Sequence, residues 1–170
     1  MPVVTYTTRF GSLDHFEQGR VEVIDDDPKH YAFSNVFAVA SRSLPYEKVA
    51  VGKNLEYALE AIRAEGTSEW RVAGHDESAL IMDGEVEIRL RTVDDSSLIP
   101  TGNGSVALPD DAGTAGQAMG HIVARRGHQA LLPAGRAYQF SAERPSVILL
   151  QTMLGPDTVE KWADICQSEI

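Results

Sequence analysis

The sequence predicts an all-β jelly-roll barrel with an N-terminal arm and a short C-terminal helix, and two observations carry that expectation. Short strands separated by glycine turns run from Gly66 to Leu154. Near their end, Gly127-His128-Gln129-Ala130-Leu131-Leu132-Pro133-Ala134-Gly135 spells glycine, five residues, then Pro-x-Gly. The chain of 170 residues suits one domain with a sizeable core, and 43% hydrophobic against 24% charged residues is globular composition. The expected divisions are an arm over 1–50, a barrel over 51–154 with a long loop at 94–120, and a helix over 156–170.

In the arm, Asp25-Asp26-Asp27-Pro28 reads as a charged turn. Tyr31-Ala32-Phe33 and Val36-Phe37-Ala38-Val39-Ala40 form an apolar patch, suited to packing across the domain or against a partner. The stretch 54–64 fits two periods. Leu55, Ala58, Leu59 and Ile62 make a helical face, while Leu55, Tyr57, Leu59 and Ala61 make a strand. Residues 69–82, Asp83-Gly84 and 85–93 read as two strands around a tight hairpin turn. In the second of them Val86, Ile88 and Leu90 alternate with Glu85, Glu87, Arg89 and Arg91, the pattern of a half-buried antiparallel strand. Gly, Ser, Asp, Thr and Pro dominate 94–120, an irregular surface loop. Strands resume at 121–124, 129–132 and 147–154. Asp157 is placed as the cap of a helix from Thr158, with Glu160 as its capping-box acid and Val159, Trp162, Ala163 and Cys166 on one face.

Asp and Glu number 25 against 15 Lys and Arg, a net charge of −10. Such a chain can hardly supply the basic face that nucleic acid or an anionic membrane requires. The single cysteine, Cys166, excludes an internal disulfide and a Cys-rich zinc cluster. No apolar run spans a bilayer and the N-terminus lacks a basic-then-apolar leader, so a cytoplasmic location is expected.

The turn spacing resembles the cupin pattern, whose barrel is a double-stranded β-helix. Glu77, six residues and Gly84 match the tail of its first motif; Gly127 to Gly135 match the start of its second. The resemblance then implies that 54–64 is a strand, and it marks where cupin metal ligands would lie. Depending on the spacer, the two histidine positions of the first motif fall on Arg71 and Ala73 or on Trp70 and Val72, and that of the second falls on Tyr138. Only Glu77 keeps a ligand type. Arginine has no lone pair to give and alanine has no donor at all, so the usual metal site is expected to be absent. His75, two residues before Glu77, shares its side of a strand. Arg71, His75, Glu77 and Tyr138 are therefore expected as a polar cluster inside the barrel, satisfying charges left where a metal would sit, with no catalytic residue assigned. The opposing reading is a shifted metal site or base at His75 and Glu77, aided by His121 or His128. His15 and His30 lie in the arm, and Arg125-Arg126, Asp94-Asp95 and Asp110-Asp111 read as solvated charges.

A narrower resemblance rests on Phe33 to Phe37, Pro45 to Tyr57, Arg63 to Ser68, His75-Asp76-Glu77 and Met82 to Glu87. These stretches are similar to the small subunit of two-component hydroquinone 1,2-dioxygenases. That family implies a larger partner subunit carrying Fe(II), no cofactor in this chain, and a heterotetramer of two small and two large chains. It implies ring cleavage of hydroquinone by O2 to 4-hydroxymuconic semialdehyde, in breakdown of aromatic compounds such as 4-nitrophenol. The small chain would serve assembly, through the apolar patch and the long loop. Two alternatives stay open: a stand-alone cupin metalloenzyme with a rearranged site, and a non-enzymatic small-molecule-binding cupin.

Overall fold

The computed structural model describes residues 10–18, 34–109 and 116–165. Its centre is one long strand. Among the described residues ten strands follow in chain order: β1 (Lys48–Asn54), β2 (Tyr57–Thr67), β3 (Arg71–Ala73), β4 (Glu77–Asp83), β5 (Glu85–Thr92), β6 (Ser105–Ala107), β7 (Ala118–Arg125), β8 (Gln129–Leu132), β9 (Arg136–Met153) and β10 (Thr158–Val159). The first half of β9 lies between β3 and β5, and its second half between β2 and β4. The sheet therefore folds back along β9 into two faces, β6-β3-β9-β5-β7 and β10-β1-β2-β9-β4-β8. All these pairings are antiparallel except β1 with β10. This is the jelly-roll expected from the sequence.

Inward-pointing residues of both faces make one core: Ile62 and Ala64 from β2, Ile81 from β4, Val86 and Ile88 from β5, Leu132 from β8, and Tyr138, Phe140, Ile148 and Leu150 from β9. The alternation read in β5 holds, with Val86 and Ile88 fully buried. The strand expected over 54–64 is β2. It begins at Tyr57, because Leu55 takes a positive φ of 56° in the turn from β1.

Several expectations need correction. Residues 69–82 are not one strand: Gly74, His75 and Asp76 turn the chain between β3 and β4. Nor is Asp83-Gly84 a hairpin turn, since β4 pairs with β8 and β9 while β5 pairs with β7 and β9. It is a corner at which the chain leaves one face for the other. Gly84 has φ +77°, and a Cβ there would meet Ser146 Oγ at 2.1 Å. Burial pushes the Asp83 carboxyl up, but the Arg126 guanidinium and the Leu13 and Gly84 amides outweigh it and hold it below its usual value. Loop 94–120 is not wholly irregular. It contains a 3-10 turn, Ser96–Leu98, and β6, which pairs with β3. The strand expected from 147 starts at Arg136, bulging past Glu143-Arg144-Pro145, whose charges and proline hid it.

The described segments 36–42 and 162–165, on either side of the barrel strands, pack on the barrel's outside. Val36–Arg42, an apolar patch in the sequence, is a helix, α1. Asn35 caps it, its Oδ1 accepting from Phe37 N at 2.9 Å and Ala38 N at 3.3 Å. Phe37, Ala38, Val39 and Ala40 are buried, Val39 against Val49 and Ala61, Phe37 against Val147. Burial of Phe37 and Val39 contributes roughly 3–6 kcal/mol. Asn35→Ala is expected to cost about 1–2 kcal/mol in urea unfolding. Among the described residues the C-terminal helix, α2, is Trp162–Ile165. Thr158 and Val159 instead extend the sheet as β10, and Asp157 pairs with Arg71 rather than capping. Cys166, His30, Asp110-Asp111, the turn at Asp25 to Pro28 and Tyr31 to Phe33 lie outside the described residues. No helix among the described residues is long and apolar enough to cross a membrane.

Candidate functional site

The β3–β9 register sets Arg71 opposite Tyr138, and the β3–β6 register sets Ala73 opposite Ser105. Three donors thereby reach one hydroxyl. Lys48 Nζ lies 3.0 Å, Arg71 Nε 3.1 Å and the Tyr138 hydroxyl 3.1 Å from Ser105 Oγ. Arg71 also donates to the Ser105 carbonyl at 2.9 Å and pairs with Asp157. Behind Lys48 stands Glu60, fully buried, with Oε2 at 3.2 Å from Nζ and off the line of a good hydrogen bond. Its Oε1 accepts from the Thr158 hydroxyl at 2.6 Å.

Glu77 opens β4 and is 1% exposed. Thr152 donates to its Oε1 at 2.6 Å, while Oε2 is buried without a hydrogen-bond partner among the described residues. Burial first, then the nearby charge of Glu77, pushes the Tyr138 phenol well above its ordinary value, so it remains a proton donor at neutral pH. Arg71, Glu77 and Tyr138 thus belong to one network, linked through Ser105 and the facing phenol and carboxylate.

His75 stands apart from it. In the β3–β4 turn its Nε2 accepts from Gly104 N at 3.1 Å, which leaves Nδ1 to donate to the Asp76 carbonyl at 3.0 Å. With Glu77, Thr152, Tyr57 and Leu131 it lines a shallow depression of about 330 Å³. His128 Nδ1 accepts from Arg125 N, and His121 lies on exposed β7 opposite Arg89. Among the described residues no three His, Cys, Asp or Glu side chains group as ligands. The interior donor set does not fit a divalent cation. It offers two buried carboxylates, Glu77 and the Glu60 already paired with Lys48, a phenol held protonated, and two side chains that are themselves cations.

Four members of the network were missed in the sequence. Glu60 left a signal, since Ala58, Glu60, Ile62 and Ala64 share the inward period of β2 and an acid there is out of place. Lys48, Ser105 and Thr152 left none; strand register alone brings them in.

No family model matches the chain, and no curated protein matches it either. Among solved structures it is 51% identical to a chain of hydroquinone 1,2-dioxygenase PnpCD in complex with Cd2+ and 4-hydroxybenzonitrile, over 96% of this chain and 98% of that one, with a TM-score of 0.88. It is 50% identical to a chain of hydroquinone 1,2-dioxygenase from Sphingomonas sp. TTNP3 with 4-hydroxybenzoate bound, over 98% of this chain and 100% of that one, with a TM-score of 0.89. A longer chain of PnpCD, in complex with Fe3+, shares the fold alone, at 15% identity over 82% of this chain and 38% of its own length, with a TM-score of 0.59. Matching the shorter chains end to end at half identity, this protein belongs to the hydroquinone 1,2-dioxygenase family.

Proposed function

We propose that this chain is the small, metal-free subunit of an Fe(II)-dependent hydroquinone 1,2-dioxygenase, cytoplasmic and assembled as two small and two large chains. The observation that carries the reading is the end-to-end likeness to one chain of a family enzyme that also contains a longer chain of the same fold. The donor set around Glu77 supports it, because it offers no ligand cage of its own. The iron of the larger chain would supply the oxygen chemistry that opens hydroquinone to 4-hydroxymuconic semialdehyde. The role of this chain is to stabilise and enclose that partner.

Of the surfaces expected to meet a partner, loop 94–120 stays a candidate and the patch at 36–40 does not. The patch at 36–40 is used up against this chain's own barrel. Exposed apolar side chains gather instead at Leu55, Tyr57 and Leu59 on the β1–β2 hairpin and at Met119, Ile122 and Val123 on β7, faces suited to a larger partner. The test is expression of the chain alone and with a larger family chain, followed by assay of bound iron and hydroquinone-dependent O2 uptake. The lone chain is expected to show neither, and the pair both. Stoichiometric iron with activity in the lone chain would overturn the reading.

A further inference from the structure

The outer sides of the two sheets differ in charge. On β5 the outward residues are Glu85, Glu87, Arg89 and Arg91, with His121 and Arg125 beside them on β7. Glu87 pairs with Arg89 and Glu85 with Arg125, an arrangement made for water. On the other sheet, beyond α1, burial alternates along β2, β4, β8 and the second half of β9, so every second residue points outward. Register sets Leu59, Gln151, Ser78 and Leu131 in one row across four strands. Tyr57 and Met153 lie on one side of that row, and Leu149, Leu80 and Gln129 on the other. None of the nine is charged, although 24% of the chain is. Tyr57 is 61%, Leu131 57% and Leu59 41% exposed. Two shallow depressions of about 330 and 420 Å³ share Tyr57 and Gln151 as lining. Exposed charge enters them only from neighbouring elements, with Asp76 of the β3–β4 turn in one and Lys53 of β1 in the other. An uncharged centre inside a polar rim is the anatomy of an interface. Farther along the same outer side, α1 already buries Ala61 and Val147, whereas among the described residues nothing covers the uncharged rows.

Strand spacing makes the bare patch about 14 Å by 13 Å, on the order of 200 Å². A stable interface takes about 800 Å² from each partner, so the occupant must reach well past the patch. A second copy is disfavoured. Each chain carries −10, and two uncharged rows bring no ion pairs to offset the repulsion. The longer chain of the family enzyme shares this fold over only 38% of its own length, so it has both a sheet to lay on the patch and further chain to pass the rim.

We infer that the larger subunit seats on this outer side of β2, β9, β4 and β8, with Tyr57, Leu59 and Leu131 at the centre of the contact. The inference rests on the dioxygenase reading and adds where the partner sits.

Calorimetric titration of the full chain with the larger subunit tests it. Leu131→Glu and Tyr57→Glu, three strands apart, should each weaken binding at least about thirtyfold, because a charge sealed into the contact finds no partner. Leu131→Gln, which brings no charge, should weaken it about tenfold or less. In the lone chain these side chains meet water, so unfolding midpoints and monomeric sedimentation should match the parent. Binding that both glutamate variants leave intact overturns the inference. So does a fall in the lone chain's unfolding midpoint with Leu131→Glu, which would mean that this chain covers the patch itself. A lone-chain dimer that Leu131→Glu dissociates also overturns it, in favour of a second copy. Failure of the dioxygenase reading shows differently, as no complex with the parent chain at all, and the inference falls with it.

Discussion

Lys48→Met is expected to destabilise the chain by about 3–5 kcal/mol, the usual cost of removing one partner of a buried ion pair. Glu60 is fully buried and Lys48 is 6% exposed, so neither charge has water to fall back on. Methionine keeps the length of the stem and most of its packing, leaving the lost ammonium as the main change. Glu60 would then keep only the Thr158 hydroxyl, on the segment that pairs β10 with β1. Its charge would lie unpaired beneath that segment, so loosening of β10 should accompany the loss. Urea unfolding measures the total. Lys48→Met with Glu60→Leu should recover most of it, since an apolar pair of similar volume commonly replaces a buried ion pair at little cost. A cost below about 1 kcal/mol for the single variant would mean that the pair behaves like a surface one, and the account of the network would fail.

The same network marks how far the sequence could be read. Period and turn chemistry are local, and they revealed the barrel and the alternation of β5; over β2 the period fitted helix and strand alike, and the cupin motif decided for the strand. Register is not local. Asp83-Gly84 looks like a hairpin turn because its dipeptide favours one, yet whether β4 and β5 pair depends on β9, more than fifty residues on. The halves of β9 are split by Glu143-Arg144-Pro145, and a window that stops at a proline sees two segments. For α1 the signal was present in Asn35, whose cap precedes an apolar run too short to show a helical period. At the site, Arg71, Glu77 and Tyr138 were legible because a motif gave their spacing. His75 was misplaced by the assumption of an unbroken strand, which Gly74 interrupts. Ser105 could not be found, since it lies inside the stretch whose composition reads as loop, and only pairing of β6 with β3 delivers it.

Gly104→Ala is expected to cost about 2–5 kcal/mol, for two reasons that add. Gly104 has φ +76°, a left-handed conformation that costs a residue bearing Cβ roughly 1–2 kcal/mol. Its Cβ would also fall 2.4 Å from Gly155 Cα and 3.0 Å from Gly155 N. These are backbone atoms, so no side chain can rotate aside, and relief requires separating two chain segments, at roughly 1–3 kcal/mol for overpacking. One segment leads into β6 and Ser105. The other leads from β9 to Asp157 and Thr158, which hold Arg71 and Glu60. Moving them apart strains the Gly104 N bond to His75 Nε2 and loosens the C-terminal segment from the barrel. Hydrogen exchange at Val159, which pairs with Val49, should rise along with the fall in the urea midpoint. Gly102→Ala is the control, because nothing lies within 4 Å of its added carbon. It should stay within about 0.5 kcal/mol of the parent chain. If both alanines behave alike, backbone contact between the β6 approach and the C-terminal segment does not hold that segment in place. If only Gly104→Ala falls, and the yield of complex with the larger subunit falls with it, the seating of this segment is a condition of assembly, coupled to it by mass action.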